Sequence, residues 1–209
     1  MGRAAKFDRE AAVEICMNEI WRNGFEACSV KALSEKLGIT RSSFYNAFGS
    51  REALFLEVLA LYFTQTPDRV LGAVDAKTPV RRLLTDFFKD VCRTRATDSD
   101  AKGCLAVNCI SELVGVDETL GPVLENTVRA SIDRLEAVLE TAAANGEIEN
   151  DGQLREKALA LQNLIIGLSV LSKVVHSEKA LLSVAKQTLT GLGLYDEHSS
   201  PTLHQALTD

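Results

Sequence analysis

Side chains that can hydrogen-bond to the bases and phosphates of a nucleic acid are concentrated in residues 31–51. An arginine can bind a guanine edge or a phosphate, and serine, asparagine and tyrosine can each contact a base or a phosphate. The cations among them add an attraction to phosphate that does not depend on base sequence. The candidate contacts are Lys31, Thr40, Arg41, Ser42, Ser43, Tyr45, Asn46 and Arg51.

Two short helices joined by a glycine turn would position these side chains. A serine is placed to cap a helix over residues 30–37, and Gly38 suits the left-handed conformation that ends a helix. Thr40 can cap a second helix, in which Phe44 and Phe48 are four residues apart on the buried side. The pattern predicts a helix-turn-helix, whose second helix enters the major groove of DNA.

The same segment carries a resemblance to a known family. Residues 8–63 resemble the N-terminal domain of TetR-type bacterial transcriptional regulators. The sequence departs from the commonest family pattern at Ala47, where many members have histidine, and at Arg51, where lysine is usual. The first departure removes one possible DNA contact, whereas Arg51 keeps the cation that the resemblance assigns to a phosphate. The matching signature positions are Gly38, Thr40, Phe44, Tyr45, Phe48, Ser50, Arg51 and Leu54.

The net charge of −6 is unusual for a protein that binds DNA. Residues 1–66 contain equal numbers of basic and acidic side chains, so the negative excess lies in the rest of the chain. Because an acidic body repels phosphate, binding has to use a local basic face and should weaken as salt concentration rises. Ordinary solvated surface charge is the alternative interpretation. The cations of the proposed face are Arg3, Lys6, Lys31, Arg41 and Arg51.

The whole chain shows almost only helical periodicity, which predicts an all-α protein. We expect a three-helix DNA-binding domain over residues 1–50, a helical effector-binding and dimerisation domain over 51–194, and a flexible tail over 195–209. No apolar run is long enough to span a membrane and no signal peptide is indicated, which predicts a cytoplasmic protein. Besides the helix-turn-helix, helices are predicted at about 9–22, from 50 onward, and at 79–95, 104–114, 121–145, 151–176 and 178–192.

A helix over residues 159–175 would be apolar nearly all the way round. Such a helix has to be covered on two sides, one by its own body and one by a partner, and Gly167 lets a partner backbone approach closely. A monomer that buries this helix centrally is the alternative. In TetR-type regulators the last two long helices of each subunit form a four-helix dimer interface. The resemblance therefore implies a homodimer through Leu164, Gly167, Leu168, Leu171 and Val175.

The five cysteines form no C-x-x-C pair, and with only three histidines no zinc site is predicted. Residues 102–115 resemble a subgroup of TetR-type regulators in which a G-C-L-x-x-N segment begins the sixth helix, and some members respond to electrophiles or oxidants through cysteine. Cys104 would lie in the first helical turn, where the helix dipole favours thiolate, with Lys102 close by. A small core residue is the alternative role for Cys104.

Other residues are candidates for binding an effector without covalent chemistry. Asn108, one turn after Cys104, can hydrogen-bond a ligand or simply a backbone carbonyl. Phe87, Phe88 and Val128 are apolar candidates for lining a cavity, yet each is also an ordinary core residue.

These patterns favour a DNA-binding transcriptional regulator, expected to be a repressor that a small-molecule or electrophile/oxidant effector releases from its operator. The expected partners are double-stranded operator DNA, a second copy of the chain and an effector of unspecified identity, without a cofactor, metal or catalytic residue. One alternative is a helical interaction module that does not bind DNA. Another is a cysteine-dependent enzyme with Cys104 as nucleophile, which lacks a convincing base because His176 lies near the end of a distant helix.

Overall fold

The computed structural model describes residues 8–198, so the predictions for Arg3, Lys6 and residues 199–209 lie outside the described part. The described part contains nine α-helices, one 3-10 segment and no strand, which confirms the all-α prediction. It divides into two compact units. The first comprises the described residues up to Thr66 together with Asn108–Leu124, and the second comprises Pro67–Val107 and the residues from Glu125 onward.

The part of the first unit that runs up to Thr66, here called the head, contains four helices. They are α1 (Arg9–Asn23), α2 (Val30–Leu37), α3 (Arg41–Phe48) and α4 (Arg51–Thr64). Each helix starts after a polar residue whose side chain accepts a hydrogen bond from a backbone amide of the first turn, and such a cap contributes about 1 kcal/mol. The four capping residues are Asp8, Ser29, Thr40 and Ser50.

The predicted helix-turn-helix is formed by α2 and α3. Gly38 ends α2 in the left-handed conformation, with φ of 66° and ψ of 29°. Phe44 and Phe48 are buried on the inner side of α3, with their ring centroids 5.1 Å apart. Leu33 of α2 and Phe25 of the α1–α2 turn are buried in the same unit. The outer side of α3 is thereby left to solvent.

Five helices supply the rest of the described chain: α5 (Val80–Thr97), α6 (Leu105–Leu113), α7 (Leu120–Ala144), α8 (Leu154–Leu171) and α9 (Glu178–Gly191). A 3-10 segment over Pro67–Gly72 precedes α5. The hydrophobic core of the second unit is built from α5, α7, α8 and α9. Its buried members include Leu84, Phe88, Val91, Leu135, Leu139, Leu161, Leu168, Leu181 and Leu189.

Three local features differ from the sequence-based expectation. Helix α8 stops at Leu171 because the amides of Lys173 and Val174 donate to carbonyls three residues back, as in the 3.1 Å bond from Lys173 N to Val170 O. Cys104 lies just before α6 and not in its first turn. The start of the predicted tail is held in place, since the Tyr195 carbonyl accepts a 2.5 Å bond from Arg81 and the Asp196 amide donates to Thr85 Oγ1 at 2.9 Å.

Within residues 8–198, no helix has both the length and the apolar character needed to cross a membrane.

Candidate nucleic-acid interface

The outer face of α3 carries five of the side chains predicted to contact DNA. The five side chains are all exposed, and Tyr45 has 51% of its surface accessible. The Tyr45 ring stands edge-on to the buried Phe44 ring, with centroids 5.9 Å apart, which restricts how Tyr45 can turn. These side chains are Arg41, Ser42, Ser43, Tyr45 and Asn46.

Thr40 and Ser43 have part of their hydrogen-bonding capacity used inside the helix. Thr40 Oγ1 accepts from the Ser43 amide at 3.1 Å and lies 2.9 Å from Ser43 Oγ. The cap therefore fixes the amino end of α3. Arg41 and Asn46 remain as the exposed long polar side chains of this helix.

The two cations outside α3 differ in their surroundings. Lys31 on α2 is exposed and lies 3.9 Å from Glu35, a loose pair that costs little to open. Arg51 is mostly enclosed: it donates to Glu26 at 3.2 Å, and its guanidinium carbon is 4.1 Å from the centroid of the Phe25 ring. The structure therefore gives Arg51 a packing role within the head, which the sequence did not indicate.

Arg9 makes contacts within the head that no sequence pattern had indicated. Its Nε donates to the backbone carbonyl of Ala47 in α3 at 3.3 Å, and its Nη2 donates to Glu57 Oε1 of α4 at 2.6 Å. These partners are 38 and 48 positions away in the sequence, so no local pattern could have revealed the contact.

The second half of α6 packs on the turn between α1 and α2 within the first unit. Glu112 Oε2 accepts from the Glu26 amide at 3.1 Å. Gly24 has φ of +83°, a backbone conformation that favours glycine, and a Cβ atom there would displace the Glu112 carboxylate, whose Oε1 would lie 2.5 Å away. Asn108, a candidate effector ligand, donates to the Trp21 carbonyl at 3.5 Å, which is the backbone contact that the sequence left open.

Cys104 differs from the other four cysteines because it is only half-buried, whereas they are buried. Burial raises the pKa of Cys16 to about 12, of Cys28 to about 11 and of Cys92 to about 12, which keeps these thiols protonated at neutral pH. Cys104 is therefore the cysteine whose accessibility best suits reaction with a dissolved reagent.

The residue before Cys104 is tightly held within the second unit. Gly103 has φ of +68°, and a Cβ atom there would lie 2.6 Å from the Ser169 carbonyl oxygen and 3.0 Å from Lys173 Cε. Arg95 Nη1 donates to the Gly103 carbonyl at 2.6 Å. The backbone that leads into Cys104 is thus fixed by α5 and by the end of α8.

The apolar effector candidates are packed to different degrees. Phe87 and Phe88 belong to the hydrophobic core of the second unit, with ring centroids 4.9 Å apart. Val128 on α7 is partly buried. Core packing thus accounts for the two phenylalanines without invoking a ligand.

Burial within one chain distinguishes the five residues predicted to form the dimer interface. Leu164 and Leu168 lie in the hydrophobic core of their own chain, and Leu171 and Val175 are partly buried against that core. A helix that is apolar all round directs one row of leucines inward, and the sequence alone could not decide which row. Of the five predicted residues, Gly167 is the one that is exposed. The exposed apolar side chains of α8, the turn after it and α9 are Leu159, Val170, Val174 and Val184.

In residues 8–198, no group of three or more His, Cys, Asp or Glu side chains is arranged to hold a metal ion.

Comparisons with known proteins agree with this geometry. The family described as "Bacterial regulatory proteins, tetR family" matches residues 16–58. The HTH-type transcriptional repressor ComR of Escherichia coli strain K12 is 27% identical over 193 residues, which are 90% of this chain and 90% of ComR.

Two solved structures have the same fold. The TetR family transcriptional regulator CifR, as a cysteine mutant complexed with 26-bp double-strand operator DNA, superposes with a TM-score of 0.79 at 28% identity, covering 90% of this chain and 98% of CifR. The reduced form of E. coli NemR superposes with a TM-score of 0.69 at 20% identity, covering 86% of this chain and 96% of NemR. The second likeness concerns the fold alone.

The capped helix-turn-helix, joined to further helices in an all-α chain, defines a DNA-binding transcriptional regulator. Residues 16–58 of this chain belong to the TetR family of bacterial regulatory proteins, and the curated relatives ComR and BdcR are HTH-type transcriptional repressors.

Proposed function

We propose that the protein is a homodimeric repressor whose two α3 helices read successive major grooves of a double-stranded operator and that an effector releases it. The observation that carries this proposal is the outer face of α3, where polar and aromatic side chains are exposed on a helix whose inner face is locked by Phe44 and Phe48. The operator complex of CifR supports a DNA partner of the same kind. In such a dimer the two reading helices lie about 34–36 Å apart.

Each side chain of the reading face has a role that fits its chemistry. Arg41 bonds a guanine edge or a phosphate, and Tyr45, Ser43 and Asn46 contact bases or phosphates. Lys31 adds a phosphate contact from α2. Arg51, which is enclosed by Glu26 and Phe25, contributes less to phosphate binding than its charge suggests.

The partner in the dimer covers the exposed apolar side chains of the second unit. Leu159 and Val170 are eleven residues apart, about three helical turns, which places them on one side of α8, and Val174 is exposed in the turn after it. Val184 is exposed on α9. Burying such side chains against a second copy removes apolar surface from water, at roughly 25 cal/mol for each Å².

The proposal assigns to Cys104 the reaction with an electrophile or oxidant that releases the repressor from DNA. An electrophile forms a bond to the Cys104 sulfur and the thiol proton passes to water, whereas a peroxide takes two electrons from the sulfur and leaves a sulfenic acid and water. A noncovalent apolar ligand bound near Val128 is the alternative. Because the target is the DNA of a bacterial cell, we place the protein in the cytoplasm.

A titration of DNA binding tests the proposed role of α3. The duplex is selected by the wild-type protein from a random pool, so that no operator has to be known. Arg41→Ala should weaken binding by about 1–3 kcal/mol while leaving the thermal unfolding temperature unchanged, because Arg41 is on the solvent side of α3.

The matched control is Arg129→Ala, which removes an exposed arginine from α7 in the second unit and should leave affinity close to that of the wild type. Equal affinities of Arg41→Ala and the wild type would show that α3 does not read the DNA.

A further inference from the structure

Arg9, the first residue of α1, ties together three helices of the head. Its guanidinium donates through Nε to the Ala47 carbonyl of α3 at 3.3 Å, through Nη2 to Glu57 Oε1 of α4 at 2.6 Å, and through Nη1 to the other Glu57 oxygen. The guanidinium carbon also lies 5.4 Å from the centroid of the Phe48 ring. One side chain therefore contacts the last two residues of α3 and the side of α4.

The Arg9 guanidinium lies at the carboxyl end of α3, where a cation stabilises the helix. The last carbonyls of a helix lack partners within the helix and carry partial negative charge, so a cation near them is stabilising. Gly49 N satisfies the Tyr45 carbonyl at 2.8 Å, and Arg9 reaches the Ala47 carbonyl. Because a guanidinium is a rigid planar fork, its two bonds to Glu57 also fix the direction in which Nε points.

We propose that Arg9 is a positioning residue for DNA reading, which holds the carboxyl end of α3 so that Arg41 and Tyr45 reach base edges. The inference rests on the proposed reading role of α3. Base contacts require fixed distances, whereas attraction to phosphate tolerates a displaced helix. Loss of the tie therefore lowers affinity for the selected operator more than affinity for an unrelated duplex.

A direct phosphate contact is the competing explanation for Arg9, since 49% of its side chain is exposed. Glu57 separates the two explanations. Its carboxylate is negative, so removing that charge should raise affinity for any duplex if electrostatics alone acts. If Glu57 serves to orient Arg9, removing the charge instead lowers affinity for the operator.

The experiment measures the ratio of affinities for the selected duplex and a scrambled duplex, using the full-length dimer. The variants are Arg9→Lys, which keeps the charge but loses the fork, and Glu57→Gln, which keeps the shape but loses the charge. Glu14→Gln, an exposed glutamate elsewhere on α1, is the matched control. Binding is expressed per folded dimer, with folding followed by circular dichroism.

We expect Arg9→Lys and Glu57→Gln each to reduce the affinity ratio on the order of fivefold, with Glu14→Gln unchanged. The double variant should lose less than the product of the two single losses, because both remove the same tie.

An unchanged ratio in Glu57→Gln, or tighter binding to both duplexes, would overturn the positioning role. So would an equal loss on both duplexes in Arg9→Lys. If Arg41→Ala also left the ratio unchanged, the reading role of α3 would fail together with this inference, whereas a loss in Arg41→Ala alone would overturn only the role of Arg9.

Discussion

The starts of α4 in the head and of α5 in the second unit are stabilised in different ways. In the head, the residue just before each helix supplies the capping side chain, as when Ser50 Oγ accepts from the Ala53 amide at 3.0 Å. In the second unit, α5 has no such cap; the amides of Val80 and Arg81 instead donate to the two Glu147 oxygens at 2.8 and 2.9 Å. The start of α4 is thus fixed by its neighbour in the sequence, and that of α5 by a residue 67 positions away, whereas α9 of the second unit has a local cap from Ser177.

The surfaces of the two units differ in a parallel way. The head presents polar side chains on α3, whereas α8 and α9 of the second unit present apolar ones. Attraction through charged and polar groups falls with salt, but association through apolar surface does not. DNA reading and subunit association should therefore be separable by mutation and by salt concentration.

The largest effect is expected from a charge in the core of the second unit. Leu168→Glu should unfold the protein or leave it aggregated, because Leu168 is only 1% exposed and a buried unpaired carboxylate costs several kcal/mol. Val170→Glu, two residues away and 53% exposed, should keep the fold and lose the dimer. Thermal unfolding and analytical ultracentrifugation distinguish these results. If Val170→Glu still formed a stable dimer, Val170 would not be part of the dimer interface.

The Glu147 carboxylate, which caps the start of α5, should contribute measurably to stability. Glu147→Ala leaves the Val80 and Arg81 amides without these acceptors and should cost about 1–2 kcal/mol in the free energy of unfolding. Ser50→Ala removes a local cap from the head and should cost about 1 kcal/mol. Denaturant unfolding measures both. Wild-type stability in Glu147→Ala would show that this contact does not hold α5.

Thiol labelling should separate the accessible cysteine from the buried ones. At pH 8 a maleimide should modify Cys104 first, because burial raises the pKa values of Cys16, Cys28 and Cys92 to about 12, 11 and 12. Unfolding should expose all five cysteines of the sequence. Mass spectrometry of peptides identifies the labelled residue. Modification of Cys28 before Cys104 would contradict the burial pattern.

The same pKa values predict that stability decreases at alkaline pH. The folded-state pKa values of Cys16 and Cys28 lie above the ordinary value of 9.0, so the unfolded chain loses these protons first as pH rises. Stability is therefore complete below about pH 9 and decreases as pH rises through about 11 to 12. Replacing Cys16 and Cys28 by alanine should reduce this decrease, and the remainder should come from Cys92, as thermal unfolding between pH 8 and 10.5 can show.

The difference between local and long-range contacts also explains what the sequence could predict. Caps and glycine turns are local signals, so the starts of α2, α3 and α4 and the exposed face of α3 followed from neighbouring residues. The tie from Arg9 to Ala47 and Glu57 joins residues far apart in the chain and had no local signal. For α8, periodicity gave an apolar helix but could not show that Leu168 faces inward while Val170 faces outward.

Methylation interference on the selected duplex tests most directly whether two α3 helices read successive major grooves. Guanine N7 lies in the major groove, where its methylation blocks a side chain such as Arg41. We predict two interfering clusters on one face of the duplex, centred about one helical turn or 10–10.5 base pairs apart. Interference at a single cluster, or interference confined to methylated positions in the minor groove, would contradict the proposed dimer with two reading helices.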